Sequence, residues 1–146
     1  VPGNHDYQRA FYLGEVMRWY YEGRGLPVEV DNSPRLRKYY RRGGVLLGFT
    51  HGSWVKPNQL PLIMATEAPE DWAGSVWREW LLGHYHRKRE MAWNSTEEVG
   101  GVRLRVLPSL ASPDAWHYRH GFVGGIKEGT LSLYSHTGLW ADHYAR

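Results

Sequence analysis

Three short histidine-containing segments of this chain have residue types that can bind metal ions and transfer protons. They are Gly3-Asn4-His5-Asp6, Thr50-His51-Gly52 and Gly83-His84-Tyr85-His86. Imidazole nitrogens and amide oxygens bind hard or borderline divalent ions, and histidine also exchanges a proton near neutral pH. The chain has 146 residues and no cysteine, which excludes thiolate ligands and disulfides. Because a single histidine is more often a core or surface residue than a ligand, the inference depends on the three segments together.

The elements around these segments are expected to bring two of the histidines to one rim of a sheet. The apolar run 44–50 predicts a buried strand that ends at His51, and residues 80–83 predict a short strand that leads into His84. A helix is predicted at 10–21, directly after the first segment. Glycine beside both histidines lets the backbone turn sharply, so a compact ligand cluster is sterically allowed.

The remaining patterns predict an α+β chain with a mixed sheet and hairpins, organised as one domain over residues 1–146. Alternating apolar and charged residues predict a strand at 26–31. Helical spacing is present at 58–67 and 71–77, and two hairpins are predicted at 91–107 and 130–144.

The order of the three segments resembles the C-terminal motifs of the calcineurin-like metallophosphoesterase family. Those motifs are a GNH[D/E] loop, a later histidine and a GHxH loop. The resemblance covers most of the chain and implies the C-terminal half of a four-layer α/β/β/α sandwich. It also implies metal-dependent hydrolysis of a phosphate ester, as in phosphatases, phosphodiesterases and nucleases. Residues 108–121 further resemble a phage or bacterial branch of the family.

The resemblance implies a metal ligand set. Asn4, His51 and His84 would bind one divalent ion, and His86 would bind a second. In such sites two ions activate a hydroxide for attack on phosphorus. Mn²⁺ is the first expectation, with Fe, Zn, Ni and Mg as alternatives, because these ligands suit several ions.

The resemblance also implies an acid and a substrate contact surface. His5 would protonate the leaving alkoxide. Asp6 would orient the imidazole of His5 and raise the pKa of His5, although Asp6 can equally be a loop-capping residue. Trp54 and Lys56 follow His51 closely enough to face the same cleft, and Arg119 belongs to a polar-aromatic cluster that either lines a substrate groove or packs on the core.

The chain departs from the family on the N-terminal side of the first segment. The DxH and GDxxD motifs, which supply the carboxylate ligands, do not occur. Without these motifs, His86 would be the only ligand of one ion, and the other ion would have Asn4, His51 and His84 but no carboxylate. We therefore expect weak metal binding and little activity from the chain alone. We interpret it as a truncated domain that needs a complementing N-terminal half. The sheet edge left by such a cut favours homo-oligomerisation.

A basic stretch supports an alternative function. It contains Arg35, Arg37, Lys38, Arg41 and Arg42, interleaved with tyrosines. Such a stretch suits a phosphate-rich partner, or it is a solvated strand face. The main alternative is therefore a non-catalytic nucleic-acid-binding or interaction remnant, and a structural zinc module ranks last because no closed four-ligand spacing is present. The sequence has no apolar run of bilayer length and no signal-like start, which predicts a cytoplasmic protein without a membrane partner.

Overall fold

The computed structural model describes residues 1–4, 6–83, 96–108, 119 and 127–145. The α-helices are α1 (Tyr7–Gly23), α2 (Leu60–Glu67) and α3 (Pro69–Ala73), with a 3-10 turn at Pro57–Gln59. The strands are β1 (Arg37–Arg42), β2 (Val45–Thr50), β3 (Trp77–Leu82), β4 (Thr96–Val99), β5 (Val102–Val106), β6 (Gly129–Tyr134) and β7 (Leu139–Ala145). The α+β prediction is confirmed at this level.

A mixed five-stranded sheet with the order β1-β2-β3-β5-β4 is the centre of the fold. Strands β2, β3 and β5 run parallel, and β1 and β4 are antiparallel edge strands. The sequence of β2 is almost entirely apolar, which suits a strand covered on both faces. The mixed sheet and the strand expected at 44–50 are therefore confirmed.

One face of this sheet packs against α2 to form the hydrophobic core. Trp80 and Leu82 of β3 contact Leu60 and Met64 of α2, and Leu46, Val102 and Leu104 complete the cluster. The indole Nε1 of Trp80 donates a 3.0 Å hydrogen bond to the carbonyl oxygen of Leu60. Each fully buried side chain of this kind contributes about 1.5–3 kcal/mol relative to exposure.

The other face of the sheet is covered by the β6–β7 hairpin through charged and polar side chains, which we call the inter-sheet network. Glu79 is fully buried there, and its carboxylate lies 2.8 Å from Arg105 Nε. Arg105 also donates to both oxygens of Asp142, at 2.9 and 2.8 Å. Tyr134 donates to Glu79 at 2.9 Å, and Ser132 donates to Asp142 at 2.6 Å. The hairpin is thus held by compensated charges.

Burial in the inter-sheet network also changes proton affinity. Desolvation and the neighbouring Glu79 carboxylate raise the pKa of Tyr134 to about 12. Its hydroxyl therefore stays protonated at neutral pH, where it donates to Glu79 and accepts a 2.8 Å hydrogen bond from Arg105. The bond from Tyr134 and the ion pair with Arg105 together compensate a carboxylate that would otherwise be costly to bury.

The strand expected at 26–31 is wrong, because this segment has no regular secondary structure. It follows Gly25, whose φ is +60°, and contains Pro27, which has no backbone N–H for a ladder. Asn32 directly after it donates to the carbonyl oxygen of Phe11 at 3.1 Å and to Glu15 at 2.7 Å. The segment is therefore attached to α1 by side-chain hydrogen bonds.

The helix expected at 71–77 is wrong in its second half. α3 ends at Ala73, and Gly74 caps it with a backbone N–H bond to Glu70. Trp77 belongs to β3, which begins three residues earlier than the strand expected at 80–83. The helix expected at 58–67 and the turn of each hairpin agree with the structure, although residues 91–95 of the first hairpin lie outside the described residues.

None of the helices in the described ranges combines the length and apolar character that crossing a bilayer requires.

Candidate metal centre

The two strand ends that precede His51 and His84 in the sequence are neighbours in the sheet. Strands β2 and β3 are parallel, and Thr50 at the end of β2 pairs with Leu82 at the end of β3. His51 and Gly83 therefore leave the sheet side by side, and the Gly83 N–H donates a 3.2 Å bond to the His51 carbonyl. The carboxyl ends of parallel strands commonly carry ligand sites in α/β proteins.

The backbone after His51 depends on glycine. Gly52 is buried and has a φ of +95°, which L side chains rarely adopt. A side chain there would be strained, and the chain would leave the strand in another direction. Gly52 thus fixes how His51 is presented at the rim.

The N-terminal loop folds back onto His51. Asp6 Oδ1 accepts a 2.7 Å hydrogen bond from the Gly3 N–H, which closes the loop on itself. Asn4 Oδ1 then lies 2.8 Å from His51 Nε2, although the two residues are 47 positions apart. A Cβ on Gly3 would approach Asp6 Oδ1 to 2.6 Å and His51 Cε1 to 3.2 Å, so this tight arrangement requires glycine.

The described residues of the three histidine-containing segments therefore lie at one rim of the sheet. Asn4 contacts His51, Asp6 closes the loop that carries Asn4, and Gly83 is bonded to the His51 backbone. The predicted acid His5 and the predicted ligands His84 and His86 lie outside the described residues.

The distance between Asn4 Oδ1 and His51 Nε2 fits two ligands of a single ion. Ligand bonds of about 2.0–2.2 Å at neighbouring coordination positions put the two donor atoms about 3 Å apart. The observed 2.8 Å is close to this value. Neither an amide nor an imidazole supplies a negative charge, and among the described residues no group of three or more His, Asp or Glu side chains lies close enough to hold an ion. The carboxylate of Asp6, in the same loop as Asn4, accepts the hydrogen bond of the Gly3 N–H.

Of the predicted substrate contacts, Trp54 lies beside the candidate site. Its ring centroid is 6.2 Å from that of His51, in a tilted arrangement, and the side chain is half exposed. An exposed aromatic ring at this position can stack on a flat group of a ligand. Lys56 is also exposed.

Arg119 is exposed, and the residues on both sides of it lie outside the described part of the chain. The described contacts include none between Arg119 and the Asn4–His51 pair. Its predicted role in substrate binding stays a prediction.

Four of the five basic residues of the stretch lie on edge strand β1, and three of these four are paired with carboxylates of the protein itself. Arg37 makes hydrogen bonds of 3.0 and 2.9 Å to the carboxylate of Glu67, and Arg41 donates to the Gly74 carbonyl at 3.0 Å. Lys38 pairs with Asp31 at 3.2 Å.

These contacts also change proton affinities. Hydrogen bonds from Ser33, followed by the Lys38 ammonium, lower the pKa of Asp31 to about 2. The hydrogen bond from Arg37 likewise lowers the pKa of Glu67. Both carboxylates are therefore charged at neutral pH and compensate the basic side chains that face them.

Two basic residues of the stretch keep their charge available. Within the described ranges, Arg35 and Arg42 have no ion pair. Arg42 lines an open cavity of about 370 Å³ together with Tyr40 and His136, at the end of the sheet opposite His51. Arg42 and its cavity are thus separate from the candidate metal centre, whereas Arg37, at the other end of β1, pairs with Thr50 next to His51.

The inter-sheet network is the charged cluster that the sequence analysis missed. Charged and apolar residues alternate along β5, where Arg103 and Arg105 flank Leu104 and point away from the core. This alternation is the feature of the sequence that indicates a charged face. Such a charged face is ordinarily solvated, and only the hairpin that covers it makes the charges internal.

Comparison of the chain with family models, with curated proteins and with solved structures gave no match. The resemblance to metallophosphoesterases therefore stays a prediction based on the three segments.

Proposed function

We propose that this chain contributes one part of the active site of a metal-dependent phosphoesterase. The contact that carries the proposal is the 2.8 Å approach of Asn4 Oδ1 to His51 Nε2. A loop at the N-terminus and the end of a central strand meet there through two side chains that both suit a divalent ion. The resemblance to the metallophosphoesterase motifs predicted that these two residues share an ion.

In this proposal Asn4, His51 and His84 are ligands of one divalent ion and His86 is a ligand of the second. Mn²⁺ is the first candidate, and Fe, Zn, Ni and Mg remain alternatives. When bound, the ions would neutralise phosphate oxygens and lower the pKa of a water nucleophile. The residues of this chain would supply neutral ligands, so the carboxylates must come from a complementing N-terminal half.

His5 is the proposed general acid, which would pass a proton to the departing alkoxide oxygen of the phosphate ester. Asp6 supports this assignment indirectly, because its carboxylate closes the loop that carries Asn4 by accepting from the Gly3 N–H. A closed loop limits the positions that Asn4 can take. The same bond fits the loop-capping role, so it does not separate the two interpretations of Asp6.

The four-layer sandwich is part of the same proposal. Helix α2 covers one face of the five-stranded sheet and the β6–β7 hairpin covers the other. This gives helix, sheet and second sheet in order, and the proposed complementing half would extend the second sheet and add the fourth layer.

The test is manganese-dependent hydrolysis of bis-p-nitrophenyl phosphate. The chain alone is compared with the chain joined to an upstream segment that carries DxH and GDxxD motifs. Each form is also prepared as His84→Ala and, as a matched control, as His143→Ala, because His143 is an exposed histidine of the final hairpin with no proposed role.

The proposal expects activity mainly from the joined form, loss of that activity in His84→Ala and retention in His143→Ala. Equal activity in the two histidine variants, or no activity in any joined form that folds, would contradict it.

The nucleic-acid-binding alternative has narrower support. It depends on Arg42 and Tyr40 beside the open cavity, since three of the five basic residues are paired within the protein. Binding of nucleic acid without metal, weakened by salt, would favour it over the enzyme.

A further inference from the structure

Helix α1 is unusual because it has 17 residues and none of them is buried. Most of the stability of a protein helix comes from packing an apolar face against a partner. The inner side of α1 makes such contacts only partly, through half-buried residues such as Gly14, Glu15 and Arg18. The opposite side faces solvent.

Five large apolar side chains form this opposite side, which we call the outer face of α1. Their exposed fractions are 58% for Tyr12, 60% for Leu13, 63% for Val16, 70% for Trp19 and 50% for Tyr20. At about 100° of rotation per residue these positions fall within a stripe about 120° wide that is centred on Val16. Arg9 near one end is the charged residue of this stripe.

The area of the outer face is large for a surface left in water. With roughly 150–250 Å² for an aromatic side chain, the five exposed fractions expose about 500–600 Å². Apolar patches of this size on soluble proteins commonly mark interaction sites. Two such faces in contact would bury about 1,000 Å², which is the lower limit for a specific interface.

The positions of the five residues are symmetric along the helix. Leu13 and Trp19 lie three residues on either side of Val16, and Tyr12 and Tyr20 lie four residues on either side. Symmetry of this kind is what an isologous contact needs, because the same patch must complement itself after a two-fold rotation. An arbitrary partner would not require it.

We propose that the outer face of α1 binds the same face of a second copy, with the two helices antiparallel and the two-fold axis at Val16. Tyr12 then faces Trp19 of the second copy, Leu13 faces Tyr20, and Val16 faces Val16. Helices that pack at the usual interaxial distance of about 8–10 Å bring such side chains into contact. The proposal does not depend on the phosphoesterase assignment.

The absence of cysteine makes the two-fold axis directly testable. In Val16→Cys, the only thiol of each copy would lie on the axis, opposite the thiol of the other copy. Leu62→Cys is the matched control, because Leu62 is 74% exposed on α2, outside the outer face. Mild oxidation at low protein concentration, followed by non-reducing electrophoresis, measures how much of each variant becomes covalently dimeric.

The expected result is rapid and nearly complete cross-linking of Val16→Cys and little cross-linking of Leu62→Cys. Sedimentation equilibrium of the unmodified chain should give twice the mass of 17.0 kDa. Trp19→Glu should weaken self-association about tenfold or more because a charge in an apolar contact must be desolvated, whereas Leu62→Glu should not.

Three outcomes would overturn the proposal. They are a monomeric chain at high concentration, equal cross-linking of the two cysteine variants, and an unchanged dimer dissociation constant in a folded Trp19→Glu variant. If the chain is a monomer and the Trp19 side chain becomes buried only when an upstream segment is joined, the outer face binds that segment instead.

Discussion

The inter-sheet network and the candidate metal centre both gather polar side chains at the sheet, and they differ in how charge is compensated. In the network, the buried carboxylate of Glu79 meets Arg105, which also holds Asp142. At the candidate metal centre, the amide of Asn4 and the imidazole of His51 face each other on a partly exposed rim, and neither supplies a negative charge. A compensated cluster holds a fold together, whereas the compensating charge at the candidate metal centre would have to come from a bound ion and its other ligands.

The largest effect is expected from breaking the inter-sheet network at its central cation. Arg105→Ala would leave the buried Glu79 with only its longer, 3.6 Å ion pair to Arg103 and would detach Asp142 of the hairpin. Removing one partner of a buried ion pair costs about 3–5 kcal/mol. Urea unfolding monitored by tryptophan fluorescence measures the loss in free energy of unfolding.

The control for that experiment is Arg37→Ala, which breaks a bidentate but more exposed pair with Glu67. Exposed pairs of this kind contribute about 0–1 kcal/mol. If the two variants lose similar amounts of stability, the network is not the internal structural element described above.

The next effect concerns the loop that presents Asn4. Asp6→Ala removes the acceptor of the Gly3 N–H bond and frees the loop, so the affinity for Mn²⁺ should fall about 10–100-fold, as when residues that orient metal ligands are removed. Titration calorimetry with Mn²⁺ measures this change. Asp71→Ala is a matched control, since Asp71 is a partly exposed aspartate that contacts Arg41, away from the loop. An affinity that is the same in both variants would separate Asp6 from the site.

A smaller effect is expected from acid. Burial acts to raise the pKa of Asp142, but hydrogen bonds from Ser132 and Arg105 outweigh it and hold the pKa below its ordinary value of 3.8. The unfolded chain therefore takes up this proton more readily than the folded one. The contribution of Asp142 to stability is complete above about pH 4 and is lost as the pH falls through the lowered folded pKa.

Urea midpoints measured between about pH 7 and about pH 3 test this sign. The profile of Asp142→Asn should be flatter in acid than that of the unmodified chain. An identical acid slope in the two proteins would show that Asp142 gains nothing from its partners.

The smallest effect concerns the basic stretch, whose charges are mostly used within the protein. Only Arg35 and Arg42 are free of ion pairs among its described members, so at most about two phosphates should be contacted. The logarithm of any DNA affinity should then fall with the logarithm of salt concentration with a slope no steeper than about −2. A much steeper slope would mean that Arg37, Lys38 and Arg41 leave their carboxylates to bind DNA.

Much of the fold was predictable because local patterns and the final packing agree. The apolar run of β2 is buried as expected, and the two hairpins turn at Gly100-Gly101 and Thr137-Gly138. Helix α1 follows the first histidine segment as predicted, although it begins three residues earlier. In these regions the hydrophobic periodicity and the turn residues favour the same secondary structure.

The errors arose where a nearby residue overrides the pattern. Alternation at 26–31 predicted a strand, but Pro27 and the hydrogen bonds of Asn32 hold that segment against α1. Apolar spacing at 71–77 predicted a helix, but Gly74 ends α3 and Trp77 joins the sheet. Periodicity alone does not separate short helices from short buried strands.

The candidate site was predictable in its membership but not in its contacts. Motif order brought Asn4 and His51 together in the prediction, and the structure gives their distance. The hydrogen bond between Gly3 and Asp6 depends on the detailed turn of the loop, which residue types do not determine. The charged pairs of the inter-sheet network depend on which face the hairpin covers, which is a property of the tertiary structure.

Binding of Mn²⁺ to the chain joined to the upstream segment with the DxH and GDxxD motifs, and to the His51→Ala, Asn4→Ala and His143→Ala variants of this joined form, tests the central claim most directly. Titration calorimetry on folded protein gives the affinity of each. If Asn4 and His51 share an ion, both site variants should bind Mn²⁺ at least about tenfold more weakly, a difference of about 1.4 kcal/mol, while His143→Ala is unchanged. If all four proteins bind Mn²⁺ equally, or none does, the Asn4–His51 contact only fastens the loop and the claim is contradicted.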